Sequence, residues 1–160
     1  MVFKNEKQLE KFLLQKCKTA VAGTEQKVHN IIDKCLKQFY AQFDPDEYIR
    51  TEQLLHSLVK SEVKKVGNGY EAEVYFDKDA LNYATGYMPT QSGRTGYATW
   101  DTDTILDVTM TGSYSGLPHG GYVKGTAIWT KSQATIATLG GVYEMLEREL
   151  KLIGVPVKKG

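Results

Sequence analysis

The sequence predicts an α+β fold in which a long N-terminal helix and a C-terminal helix pack on a small antiparallel β-sheet. Three observations carry that prediction. Apolar residues recur at three- and four-residue steps from about Asn5 to Phe43, period-two alternation flanks Gly67-Asn68-Gly69, and a second helical stripe runs from Leu139 to Ile153. The 160 residues, 41% hydrophobic and 24% charged, suffice for one domain with a real core, expected to span 1–160. A net charge of +1 argues against a protein living on nucleic acid or anionic membrane, where excess positive charge supplies much of the affinity.

The first helix is built on Leu9, Phe12, Leu13, Cys17, Ala20 and Val21, then Val28, Ile31, Ile32, Cys35, Phe39 and Phe43. Asn5 is placed to cap it, with Gln8 three residues on completing a box-like start. Gly23-Thr24 is its weakest point, where a kink would cost little. Unbroken, the helix runs roughly 57 Å, too long for a small domain to cover, and Pro45 ends it. Cys17 and Cys35 lie eighteen apart, five turns along one face, so they cannot reach each other and read as buried hydrophobes. Eight lysines against four acids in residues 1–43 read as the solvated outer face of this helix.

A turn and a short helix follow over residues 44–57. Then Val59, Ser61 and Val63 alternate with Lys60, Glu62 and Lys64, and Tyr70, Ala72, Val74 and Phe76 alternate with Glu71, Glu73, Tyr75 and Asp77. This is a β-hairpin pattern, with lysines and glutamates pairing across its wet face. Charge then thins abruptly: residues 1–80 hold 26 charged side chains, whereas residues 81–130 hold five (Arg94, Asp101, Asp103, Asp107 and Lys124) and eight glycines. Residues 79–121 therefore read as a long Gly/Thr/Tyr-rich insertion, mostly loop, with a strand expected over 105–111. Another strand is expected over 122–129. The closing helix presents Leu139, Val142, Tyr143, Leu146, Leu150 and Ile153, with Glu144, Glu147, Arg148 and Lys151 opposite, and stops at Gly154 and Pro156.

Chemistry is sparse. Gly67-x-Gly69-x-x-Ala72 matches a dinucleotide fingerprint in spelling but is a hairpin turn entering a strand, where the motif must open a helix. Gly112-Ser113-Tyr114-Ser115-Gly116 has tyrosine where a nucleophile elbow needs serine, and His119-Gly120-Gly121 resembles an oxyanion loop with no nucleophile to serve. His29, His56 and His119 show no zinc spacing, and the two cysteines make no metal set. Asp101-x-Asp103-x-x-x-Asp107 lacks the glycine and closing glutamate of an EF-hand loop. No catalytic residue, cofactor or metal is expected. Tyr83, Tyr87, Tyr97, Trp100 and Tyr114 crowd the uncharged segment, which is the composition of a protein–protein interface core, although packing beneath the loop would also explain them. No apolar run approaches the roughly 20 residues needed to span a bilayer, and the start of the chain has no apolar stretch of a secretory signal. A soluble, intracellular product is the expectation.

The long helix, then Tyr48-x-Arg50-Thr51-x-x-Leu54-x-x-Ser57, the hairpin, His119-Gly120-Gly121, an aromatic strand ending at Trp129 and a terminal helix together resemble the minor tail-component family of long-tailed phages. These are tail-completion or head–tail joining (neck) proteins, common in prophages of Gram-positive bacteria. Many relatives carry Asp-Thr-Gly-x-Leu at positions 50–54, which this sequence does not, and residues 79–115 match least. The resemblance implies a non-catalytic virion protein at the neck or tail terminus that completes the tail and helps join it to the head. A small non-catalytic protein-binding module of a mobile element is the alternative. It implies a homo-oligomeric ring, expected to be sixfold, partnered by tail-tube and head–tail connector proteins, with weak DNA contact in the channel and no membrane. The protein would lie in the virion, and in the host cytoplasm before assembly. Arg50 and Thr51 would start or cap the short helix, Leu54 would enter the core and Ser57 would bond at the helix-to-strand turn. The insertion is expected to be mobile in the free subunit and fixed on assembly.

Overall fold

The structure, a computed structural model, describes residues 3–42, 53–81, 87–89, 95–97, 106 and 128–157. The elements are helix α1 (Glu6–Gln42), a short helix α2 (Gln53–His56), strands β1 (Leu58–Lys60), β2 (Lys64–Val66), β3 (Gly69–Glu71) and β4 (Val74–Phe76), then strands β5 (Tyr87–Pro89) and β6 (Thr95–Tyr97), and helices α3 (Ile128–Thr138) and α4 (Gly141–Leu152). Among the described residues, β1 pairs with β4, β2 with β3 and β5 with β6, each a two-stranded sheet. The fold is mixed helix and small antiparallel sheet, as the sequence patterning predicts.

The start of α1 is fixed locally. The Gln8 backbone N–H donates to Asn5 Oδ1 (3.0 Å), and the Lys4 N–H donates to Gln8 Oε1 (3.0 Å), a reciprocal cap that satisfies first-turn donors. The helix then runs 37 residues without interruption at Gly23.

The hairpin turns at Gly67-Asn68, with Gly67 at φ +56°, a left-handed conformation that glycine adopts at little cost. Val66 faces Gly69, Lys65 faces Tyr70 and Lys64 faces Glu71, so one lysine and one glutamate stand directly opposite. Tyr70, Ala72, Val74 and Phe76 are half-buried while Glu71, Glu73 and Tyr75 are exposed, which follows the predicted alternation. The pairing is broken once. Residues 61–63 on one side face residues 72–73 on the other, a bulge whose loose groups are tied by Ser61: its N–H donates to Glu73 O (2.8 Å) and its Oγ accepts from Glu73 N–H (2.9 Å).

The chain divides into two compact units. The first comprises Met1–Asn30, Lys60–Tyr75 and Ile136–Gly160: most of α1, the β2–β3 hairpin and α4. Its fully or nearly buried residues are Ala20, Thr24, Glu25, Met145 and Glu147. The second comprises Ile31–Val59 and Phe76–Thr135. Its described buried residues are Ile32, Cys35, Leu36, Leu54, Ser57, Leu58, Leu81, Ile128 and Ser132. Both serines there are satisfied: Ser57 Oγ donates to Leu54 O (2.9 Å) and Ser132 Oγ to Ile128 O (2.8 Å).

Three sequence expectations are corrected. The strand expected over 122–129 fails at its end, because Ile128 and Trp129 open α3; burial recurs at Ile128, Ser132 and, in part, Ile136, with Thr130 and Ala134 between them exposed, which fits a helix and not the alternation of a strand. In the strand expected over 105–111, the one described residue, Leu106, is helical. The apolar stripe of the closing helix is buried only in part: Leu146, Leu150 and Ile153 are half-buried. Met145 and Glu147 are buried, whereas Leu139, Val142 and Tyr143 are exposed.

α4 itself is bounded by left-handed glycines. Gly140 (φ +91°) and Gly141 (φ +82°) separate it from α3, and a Cβ on Gly140 would lie 2.6 Å from Glu144 Cγ. At the far end Val155 N–H donates to Leu150 O (2.9 Å) and Gly154 N–H to Lys151 O (3.0 Å), the paired bonds of a Schellman stop with Gly154 at φ +81°.

Candidate functional site

Within the first unit, α1 and α4 meet through polar groups. Lys16 Nζ donates to Ile153 O (2.9 Å), placing a cation on the carbonyl end of α4 where the helix dipole favours it. About two turns farther along α1, Gly23 leaves the space that Glu149 occupies: a Cβ there would lie 2.7 Å from Glu149 Cδ. The carboxylate lodged in that notch pairs with Lys27 at 2.6 Å, and the Glu149 side chain is only 15% exposed. A glycine that the sequence presents as a breaking point is therefore a docking notch. Lys60 Nζ donates to Gln26 Oε1, and Gln26 Nε2 donates to Asn30 Oδ1 (2.8 Å), which ties the end of β1 to the same helix.

Around this seam lie three buried side-chain atoms without a hydrogen-bond partner: Glu25 Oε1, His29 Nδ1 and Glu147 Oε2. The second oxygen of Glu147 accepts from Lys151 Nζ one turn on, and that lysine is more than half exposed. No group of three or more His, Cys, Asp or Glu among the described residues could hold a metal ion. Lys16 and the Lys27–Glu149 pair tie α1 to α4, whereas the Glu147–Lys151 pair lies within α4. Burial of Glu147 and Glu149 was hidden in the sequence, because their lysine partners make them look like surface carboxylates.

The same unit exposes apolar side chains. Leu139, in the turn before α4, and Val142 and Tyr143, in its first turn, are exposed, Tyr143 by 63%, and Leu152 at the other end by 75%. Leu9, Leu13, Val66 and Tyr75 are exposed as well. Among the described residues only Trp129, of the large exposed hydrophobics, belongs to the second unit.

The sequence-predicted residues fall as follows. Leu54 is buried, and Ser57 is fully buried at the turn from α2 to β1, where its N–H donates to Gln53 O (2.8 Å) and its carbonyl accepts from Asp77 N–H (2.7 Å). Trp129 sits on α3, 43% exposed. Tyr87 and Tyr97 are register partners across the β5–β6 ladder. Tyr48, Arg50, Thr51, Tyr83, Trp100, Tyr114, His119, Gly120 and Gly121 lie outside the described residues, as does the Asp101–Asp107 cluster. Among the described residues no helix is long and apolar enough to cross a membrane.

Compared with known proteins, the chain matches the YomN family model over residues 5–151, almost its whole length. No curated protein and no solved structure matches it. The chain belongs to the YomN family, whose name is that of a Bacillus phage- or prophage-derived protein, and it is in that coarse sense phage-related.

Proposed function

We propose that this YomN-family chain is a structural, non-catalytic virion protein of the phage neck or tail terminus, which completes the tail and helps join it to the head. It works as a homo-oligomeric ring, with tail-tube and head–tail connector proteins as further partners. The observation that carries the reading is the apolar surface exposed around the start of α4: Leu139 in the turn before it, and Val142 and Tyr143 in its first turn. A monomer gains nothing from leaving those three side chains in water. A neighbouring subunit covering the patch removes apolar area from water at about 25 cal/mol per Å², and a repeated heterologous contact closes into a ring when its rotation closes. The resemblance of the Tyr48–Ser57 run to minor tail components points the same way.

Sedimentation velocity combined with negative-stain imaging of the purified chain, alone and mixed with tail-tube protein, tests this. Rings or tubes are expected, and Val142→Lys with Tyr143→Glu should dissolve them while leaving the helical circular dichroism intact. A particle that stays a monomer at every concentration and with tail-tube protein present contradicts the reading, and a dimer that captures one peptide or helix partner favours the protein-binding module instead.

A further inference from the structure

α1 and α4 are staggered. α4 runs antiparallel to α1, with Ile153 held at Lys16 and Glu149 held at Gly23 and Lys27. At about 100° per residue, Lys16, Ala20, Gly23 and Lys27 share a sector of α1 about 80° wide, and Ala20 within it has no exposure. Leu9 and Leu13 lie in that same sector, but past the end of α4, and there they are 39% and 40% exposed. Over Glu6–Thr19, roughly 21 Å of helix, no residue is buried. Phe12 edges this stretch, its ring 5.1 Å from that of Phe3 and 5.4 Å from Lys16 Nζ.

α4 has a bare stretch of its own. Glu149, which enters the notch at Gly23, shares a sector of about 60° on α4 with Leu146 and Val142. Leu146 is half-buried, whereas Val142, one turn nearer the start, is exposed with Tyr143 beside it. The two bare stretches lie at opposite ends of α4, roughly 15 Å apart along it, so neither covers the other within one chain.

We propose that these stretches are the two halves of one contact between copies of this chain: the first turns of α4 in one subunit pack over Leu9 and Leu13 on α1 of the next. The pairing rests on the self-assembly proposed above and names the surface that covers Val142 and Tyr143. The occupant follows from continuity with the seam inside the chain. The sector of α1 that carries Leu9 and Leu13 already receives α4 farther along, and the sector of α4 that carries Val142 already faces α1 at Glu149. Each bare stretch thus matches the element its own helix binds, and a second copy supplies both. Pairing α1 with α1, or α4 with α4, covers one stretch and leaves the other in water. The unlike pairing covers both in one repeated, heterologous contact.

Complementation between two variants, read by sedimentation velocity over a range of concentrations, tests this. Leu13→Glu and Val142→Lys each put a charge into one half of the contact and leave the other half intact. Each variant alone should self-associate at least about tenfold more weakly than the parent, because an unpaired charge is buried. Mixed in equal amounts they should regain one contact, between Leu13 of the Val142→Lys chain and Val142 of the Leu13→Glu chain, and stop at a dimer. Both positions are exposed, so helical circular dichroism should match the parent's, and the uncharged pair Leu13→Gln and Val142→Gln should complement in the same way. A single variant that assembles as the parent does, or a mixture no larger than its parts, overturns the pairing while parental rings keep the ring reading standing. A parent that stays a monomer, with tail-tube protein present as well, overturns both. A complementing dimer from a parent that never closes into rings upholds the pairing and removes the ring.

Discussion

The second unit buries Ile32, Cys35, Leu36, Leu54, Leu58, Leu81 and Ile128, with two serines whose hydroxyls are bonded to helix carbonyls; the first buries Ala20, Thr24, Glu25, Met145 and Glu147 and leaves three inward polar atoms unpaired. The surfaces differ in the opposite sense. Eight of the nine large exposed hydrophobics among the described residues belong to the first unit. Among the described residues, one unit thus places its apolar side chains in its interior, and the other turns several of them outward while holding itself together with ion pairs, a glycine notch and helix caps. The lesson is a division of labour between stability and surface. A dry aliphatic interior is hard to modify without loss, whereas a polar seam fixes two helices in register and leaves the outer faces available.

That contrast is open to measurement by denaturant unfolding, and its largest expected effect lies in the second unit. Leu36→Ala, at a site with no solvent exposure, should cost about 2–5 kcal/mol by lost transfer energy and an unfilled cavity. A cost below about 1 kcal/mol would mean that this interior is far looser than its burial indicates. Next is the notch. Alanine usually gains up to about 1 kcal/mol over glycine inside a helix, yet Gly23→Ala should lose about 1–2 kcal/mol, because Glu149 is expelled and its pair with Lys27 is broken. Stabilisation by that substitution would remove the notch from the account. Ser57→Ala should cost about 1 kcal/mol by deleting the hydroxyl bond to Leu54 O. The smallest effect is expected at Glu147→Leu. Its lysine partner is mostly in water, so no buried charge is stranded, and the result should lie between no change and a gain of about 1 kcal/mol. A loss of several kcal/mol there would show that the seam depends on that carboxylate as a dry core depends on leucine.

Sequence reading reached whatever is encoded by near neighbours. The Asn5–Gln8 cap, the unbroken apolar spacing of α1, the alternation around Gly67-Asn68 and the Gly154 stop are all decided within a few residues, and all stand in the structure. What it missed depends on distant partners. Gly23 reads as a weakness until Glu149, 126 positions later, is found filling its space. Glu147 and Glu149 read as solvated because carboxylates usually are, and only their lysines at Lys151 and Lys27 make burial tolerable. α3 escaped notice because Ile128-Trp129-Thr130 has strand-forming composition, while its buried step of four is visible only once Ser132 is known to face inward. Of the candidate site residues, Leu54 and Ser57 have sequence-predicted places that coincide with burial and bonding, whereas Trp129 changed from strand to helix.

The claim on which the rest depends is that the apolar side chains exposed around α4 in the first unit are covered by a neighbour on assembly, while Ile32, Cys35 and Leu36 of the second are buried already in the free chain. Hydrogen exchange measured on the free chain and on its assembled form tests this most directly. Amides of α4 (Gly141–Leu152) should slow by at least about tenfold on assembly, while those of Ile32–Leu36, already in a dry interior, should hardly change. Equal exchange of α4 in both states, or new protection confined to the second unit, would contradict the account.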